Sequence, residues 1–236
     1  MRDHAPSPTA ARPTGRKLQR RGEESRRRIL DATLVQIAKR GLHGITHRSI
    51  ASEAGVPLSL TTYFFSSLSD LVGQAFDHFV EAAAKDNVAV LSQLDGYLAG
   101  FDAEALLSDA PVRRRVCADV TVLLCGFIRE QAANNSVGLA VELNFLSLYR
   151  LDPEIRARVV AYREGLVGGI AGLARMMGST QPRIDASLVL SVVHRLQFEV
   201  MNLAPPWPES LLEAELGRML ELVLRIEAPI VVDGGS

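Results

Sequence analysis

The segment Arg26–Leu71, RRRILDATLVQIAKRGLHGITHRSIASEAGVPLSLTTYFFSSLSDL, places the start and stop signals of three helices in one short stretch. Ile29, Ala32, Leu34, Ile37 and Ala38 recur at helical spacing, and Gly41 stands where a helix closes in a left-handed cap. One amphipathic helix is therefore expected to end at Gly41. Thr46 offers its hydroxyl as N-cap to a second helix with Ile50 and Ala51 facing inward, and that helix runs out at Ala54-Gly55. Val56 turns back into the core. Pro57 suits the first turn of a third helix, where a missing N–H costs nothing, and Leu58–Phe64 is that helix. Two short helices joined by a glycine-containing turn make a helix-turn-helix.

Charge is distributed unevenly around this unit. Residues 1–50 hold 12 Lys and Arg against 4 Asp and Glu, net +8, whereas residues 51–236 hold 14 against 23, net −9. A basic end on an acidic body is the pattern expected when one end meets phosphate and the rest does not. The 236 residues, 47% hydrophobic, leave room for a larger second domain with a core of its own. Residues 1–22 carry Pro6, Pro8, Pro13, Gly15 and Gly22 and almost no large apolar side chain, so a disordered basic arm is expected there. The arm has no apolar run of the signal-peptide kind, and no later stretch reaches the length of a membrane span. A cytoplasmic protein with no membrane partner is the expectation. Cys117 and Cys125 sit eight residues apart in an apolar helix without a CxxC or a neighbouring His. They read as core thiols, with redox sensing as the alternative.

The segment from Ser25 to Phe76 resembles the N-terminal domain of the tetracycline-repressor (TetR) family of bacterial regulators. The residues that carry the resemblance are Arg27-Arg28-Ile29-Leu30-Asp31-Ala32, Gly41, Thr46, Arg48, Ile50-Ala51, Ala54-Gly55-Val56, Phe64-Phe65, Ser67 and Leu71. Two positions depart from the family pattern: Thr61-Thr62 replaces its Leu-Tyr pair, and Leu68 replaces its Lys. Phosphate contacts at those two places are weakened or moved.

Beyond this unit, Leu68 to about Leu94 reads as one long helix with Leu71, Val72, Ala75, Phe76, Phe79 and Ala83 on one face. Gly96, Gly100 and Asp102 break the pattern. Further helices are expected at about Val112–Gln131, Val137–Tyr149, Pro153–Met177, Ile184–Asn202 and Glu209–Ile226. No strand pattern of useful length appears, so the fold is expected to be all-α. The chain divides on this reading into an arm (1–22), a helix-turn-helix domain (23–67), a helical regulatory and dimerisation domain (68–228) and a tail (229–236). Gly126, Gly138, Gly165, Gly168, Gly169 and Gly172 thin the helices from Val112 to Met177, either for close helix packing or to leave room for a ligand. The resemblance implies a ligand pocket in this region, which Glu142, Asn144, Tyr149 and Tyr162 are candidates to line. Pro205-Pro206-Trp207-Pro208 is a stiff connector between the last two helices. Leu188, Val192, Leu196 and Val200 form one apolar stripe, and Leu212, Leu216, Met219, Leu220 and Val223 another. A stripe alone fits an internal core, and the dimer interface assigned to these residues comes from the resemblance. His194 and Arg195 are expected at the rim.

What the resemblance implies is a homodimeric, ligand-responsive repressor of double-stranded DNA, released by a small apolar effector. Arg48 would reach a base edge, Leu58, Ser59 and Tyr63 would face the major groove, and Thr46, His47 and Thr62 would hold phosphates. No Ser-His-Asp arrangement, phosphate loop, metal constellation or cofactor fingerprint is evident, so neither enzymatic activity nor a cofactor or metal is expected. The competing reading is a helical protein-interaction module whose helix-turn-helix no longer touches DNA.

Overall fold

Helix α1 (Gly15–Arg40) presents Ile29, Leu30, Ala32 and Ile37 inward, and all four are buried. Gly41 follows with φ 70° and ψ 168°, a backbone that glycine tolerates and that leads into a single 3-10 turn at Leu42–Gly44 instead of the left-handed cap expected there. Helix α2 (His47–Ala54) starts at the expected cap. The Thr46 hydroxyl accepts from the Ser49 N–H (3.1 Å) and the Ser49 hydroxyl accepts from the Thr46 N–H (3.0 Å). It ends at Gly55, which is left-handed at φ 61° and ψ 40°. Pro57 is the N-cap of α3 (Leu58–Phe64), one residue outside the turn expected to contain it.

The computed structural model describes residues 15–147, 151–202 and 209–225, and among these it has ten helices and no strand. After α3 come α4 (Leu68–Leu98), α5 (Ala103–Ser108), α6 (Ala110–Asn134), α7 (Ser136–Ser147), α8 (Pro153–Met176), α9 (Pro182–Asn202) and α10 (Glu209–Val223). Several sequence expectations are corrected. The arm does not extend to residue 22, because α1 already begins at Gly15. Arg16, Lys17, Gln19, Arg20 and Arg21 are favourable helix residues, and propagation from the anchored Ile29–Ile37 turns costs little. Residues 1–14 lie outside the described residues, as do Tyr149, the connector at 205–208 and the tail. Helix α4 runs through Gly96, a glycine in a helix costing only about 1 kcal/mol. The short α5 is an addition to the expected helices. Asp102, read as a turn residue, caps it by accepting from the N–H groups of Glu104 and Ala105.

Two cores organise these helices. In the first, Ile29, Ile37, Ile50 and Phe65 join Leu71 and Phe76 of α4, Phe145 of α7 and Ile155 of α8. The three-helix head and the upper body thus share one apolar interior, and each such fully buried side chain is worth about 1.5–3 kcal/mol. Polar clamps reinforce the junction. Arg26 lies over the Phe65 ring and donates to Gln74, and Asp31 meets His78 at 2.7 Å; within the head, the Arg28 guanidinium ties α1 to the end of α2 by donating to the carbonyls of Ala54 and Gly55. The second core joins Leu94 of α4, Cys117, Cys125 and Ile128 of α6, Leu196 of α9, and Leu212 and Leu216 of α10. Both thiols are buried, and burial pushes Cys117 up to about 11, so its thiolate is disfavoured. No helix among the described residues is long and apolar enough to cross a membrane.

Candidate functional site

The outer surface of the head is built by α2 and α3. Buried Ile50, Ala51 and Ala54 fix the rotation of α2, which leaves Arg48 exposed near its N-terminus. Thr61 is fully buried and its hydroxyl donates to the Leu58 carbonyl at 2.8 Å. Its burial fixes the rotation of α3 and exposes Leu58, Ser59, Thr62 and Tyr63. Tyr63 is 78% exposed, unusual for so large a ring, and packs edge-on against Phe64 at 5.0 Å. Thr46 is also exposed, and its hydroxyl is engaged as the α2 cap. His47 is half-buried, with Nδ1 buried and without a partner among the described residues. The structure therefore brings all seven sequence candidates to one end of the molecule. The substituted Thr61-Thr62 pair divides: Thr61 fills a core position, and Thr62 stays on the surface with its hydroxyl donating to the Ser59 carbonyl.

A second feature lies inside the body. A cavity of about 140 Å³, partly open to solvent, lies between α4, α6, α8, α9 and α10, with one contribution from α7. Leu94, Leu98, Leu124, Ile170, Leu173, Met177, Leu190 and Leu224 give it an apolar wall. Its polar groups gather at one end, where Asn87 donates to the Tyr162 hydroxyl at 3.3 Å and that hydroxyl donates to Glu142 Oε1 at 2.8 Å. His194 Nε2 is 3.4 Å from the same oxygen. Glu142, Asn87, His194 and Gln197 line the cavity, whereas Tyr162 stands behind Glu142. Burial above all, and then the Glu142 charge, raise the Tyr162 phenol far beyond its ordinary value, so it remains a donor.

Of the three ligand candidates among the described residues, Glu142 alone lines the cavity. Asn144 is turned the other way, since its amide donates to the Ala140 carbonyl and its Oδ1 lies against Gly41. Tyr149 is outside the described residues. Of the two readings of the glycines, room for a ligand is the one that fails, since none of the six lines the cavity. Gly169 serves close packing, since a Cβ there would come within 2.6 Å of Leu91 on α4. His194, expected at the rim, faces the cavity instead, while Arg195 is exposed and pairs with Glu199 and Glu215. His194 escapes a reading of the sequence because the carboxylate it meets, Glu142, lies on α7, far away in the chain.

The dimer stripes are also corrected. Leu196, Leu212, Leu216 and Leu220 are buried within a single chain, and Val192, Met219 and Val223 pack half-buried against the same core. Leu188 stays outside, at 52% exposure. The four buried leucines therefore mark helix-on-helix burial within the chain, whereas Leu188 and the half-buried Val192, Met219 and Val223 keep surface of their own.

The sequence matches no family model and no curated protein. Solved structures do match. A transcriptional regulator from Rhodococcus sp. RHA1 has a TM-score of 0.63 at 19% identity, covering 87% of this chain and 100% of its own. A TetR-family transcriptional regulator from Mesorhizobium loti has a TM-score of 0.58 at 15% identity over 87% and 98% of the two chains. The chain has the TetR-family fold. Within that fold, a transcriptional regulator from Saccharomonospora viridis solved in complex with choline has a TM-score of 0.62 at 22% identity, over 84% and 96%.

Proposed function

We propose that this chain is a homodimeric, ligand-responsive transcriptional regulator, acting as a repressor on a pseudo-palindromic operator. The observation that carries the reading is the outer face of α2 and α3, where Arg48, Leu58, Ser59, Thr62 and Tyr63 stand exposed on a helix-turn-helix whose α2 is closed by a capping box at Thr46 and a left-handed Gly55. An Arg fork suits the two acceptors of guanine, Leu58 suits a thymine methyl, and Thr46 and His47 suit phosphates, with Thr62 joining them where its hydroxyl turns from the Ser59 carbonyl to a phosphate oxygen. Two such heads would enter successive major grooves roughly 34 Å apart.

A second copy is supported by apolar side chains left on the surface of the last two helices. Ile184, Leu188 and Phe198 of α9 and Leu211 and Leu222 of α10 are all 47–61% exposed. On α9, Ile184, Leu188, Ser191, Arg195 and Phe198 follow one another at helical spacing, which is a single face. The effector site is the internal cavity, and the choline complex of a protein of the same fold is consistent with a ligand there. Selection of bound duplexes from a random pool, followed by affinity against salt, tests the reading. A recovered palindrome with a steep negative salt slope is expected. Salt-independent or undetectable binding would favour the protein-interaction module instead.

A further inference from the structure

We infer that the cavity takes a small organic cation, an apolar body of about benzene size bearing one amine or ammonium group, with its positive end against Glu142. The volume sets the size: an engineered apolar cavity of ~150 Å³ holds a benzene ring, and this one is about 140 Å³. Its wall is hydrocarbon except at the end where Asn87, Glu142, His194 and Gln197 gather. At the far end Leu98, Met177 and Leu224 belong to a single apolar cluster. The cavity is thus amphipathic along its length, and its occupant should be too.

Charge sets the class. Glu142 and His194 are the titratable groups among the lining residues, and the Glu142 side chain is only 12% exposed. A carboxylate in such surroundings is costly unless it is paired and hydrogen-bonded. Its contacts fall short of that. Oε1 accepts from Tyr162 and has His194 Nε2 at 3.4 Å, longer than the ~2.7–2.9 Å of a charge-assisted hydrogen bond. Among the described residues Oε2 receives no hydrogen bond and is not a buried orphan, so it stays open to an incoming donor, and Tyr162 is a neutral donor that lends no positive charge. A protonated amine supplies both the missing charge and the missing donor. A neutral ligand supplies at most the donor, and an anion is repelled.

The inference rests on the ligand-responsive reading above, and three isosteric probes keep the two apart. Benzylamine, benzyl alcohol and benzoate are titrated calorimetrically into the full-length protein at pH 7.5, and each is then tested for release of the selected operator. Benzylamine should bind at least tenfold more tightly than benzyl alcohol, with benzoate weakest. Glu142→Gln should erase that preference while changing benzyl alcohol affinity by less than threefold. The ranking in the wild-type protein stands as a test even if the variant does not fold. Equal binding of amine and alcohol, preference for benzoate, or no binding of any probe overturns the cation assignment. The charge preference without operator release upholds the assignment and overturns the sensor reading, and release by benzyl alcohol alone does the reverse.

Discussion

The Tyr162 hydroxyl donates a 2.8 Å hydrogen bond to Glu142 Oε1, and the other side of the same ring belongs to a different part of the molecule. It stands edge-on to Phe76 (5.9 Å, 89°) and to Phe79 (5.9 Å, 70°) on α4. Phe76 in turn packs on Phe145 at 4.5 Å, within the core that also holds Ile29, Ile50 and Phe65 of the head. One side chain therefore touches both the cavity carboxylate and the apolar interior that orients α2 and α3. An occupant that draws Glu142 toward itself changes what holds the Tyr162 ring against α4. That is a physical route for coupling between cavity and head.

Tyr162→Phe removes the hydrogen bond and keeps the ring. The variant should bind ligand-free operator DNA as the wild type does, and lose most of the ligand-induced weakening. Coupling in such systems is about 1–3 kcal/mol, or roughly 5- to 150-fold in affinity. Operator affinity measured with and without saturating ligand checks it, and undiminished coupling would place the route elsewhere.

Arg48→Ala should relax preference at one base pair of each half-site and cost about 1–3 kcal/mol for each base pair it reads. Its exposed position at the start of α2, one residue past the half-buried His47, is the reason to expect a base contact. Affinities for a set of single-substitution operators are the measurement. A loss of equal size on every sequence would mean that Arg48 holds phosphate.

The helix-turn-helix is legible in the sequence because its signals are local. Thr46 caps, Gly55 turns left-handed and Pro57 precedes α3 through interactions within a few residues of each, so neighbouring residues suffice to specify them. The body is legible as helices and not as partners. A leucine stripe such as Leu212, Leu216 and Leu220 states that a face is covered without stating by what, and here α6 and α9 of the same chain cover it. The Glu142–Tyr162–His194 cluster joins α7, α8 and α9 across sequence gaps that no spacing rule connects. Arg113 is hidden for the same reason. It ties α5, α8 and the end of α10 together by donating to the carbonyls of Leu106, Met177 and Leu224.

Replacing Arg20 and Arg21 with Gln should flatten the salt dependence of operator binding. Both are exposed on the first turns of α1. For every phosphate that an arginine no longer neutralises, the slope of log affinity against log salt becomes shallower by about 0.9. Fold and dimerisation should be unaffected, and an unchanged slope would remove these two residues from the interface.

Asp70 gives the junction of head and body a dependence on acid. The Gln74 amide holds its carboxyl below the usual value, burial opposes this, and the backbone and hydroxyl of Ser66 add to the lowering. A depressed folded-state value contributes stability above the unfolded value of about 3.9, and that stability is lost as pH falls through the folded value. The wild type should therefore melt higher than Asp70→Asn at pH 7, with the gap closing below about pH 4. A gap independent of pH would show that Asp70 acts through shape and not charge.

The apolar face left on α9 and α10 separates dimerisation from folding. Leu188 and Leu222 are 52% and 61% exposed, so changing both to Glu removes nothing from the core of one chain. Placed at an interface, the new carboxylates would be buried without partners and would repel their symmetry mates. The double variant should sediment as a folded monomer with near-normal helicity and lose tight operator binding, because each head then lacks the linked contacts of the other. Leu216 provides the contrast. It is fully buried between α10 and its neighbours, so Leu216→Ala should cost about 2–5 kcal/mol of stability while leaving the surface face intact. If Leu188→Glu with Leu222→Glu remains dimeric at micromolar concentration, these helices do not form the interface, and the exposed residues on α6 and α8, Val122 and Val160, are the next to test.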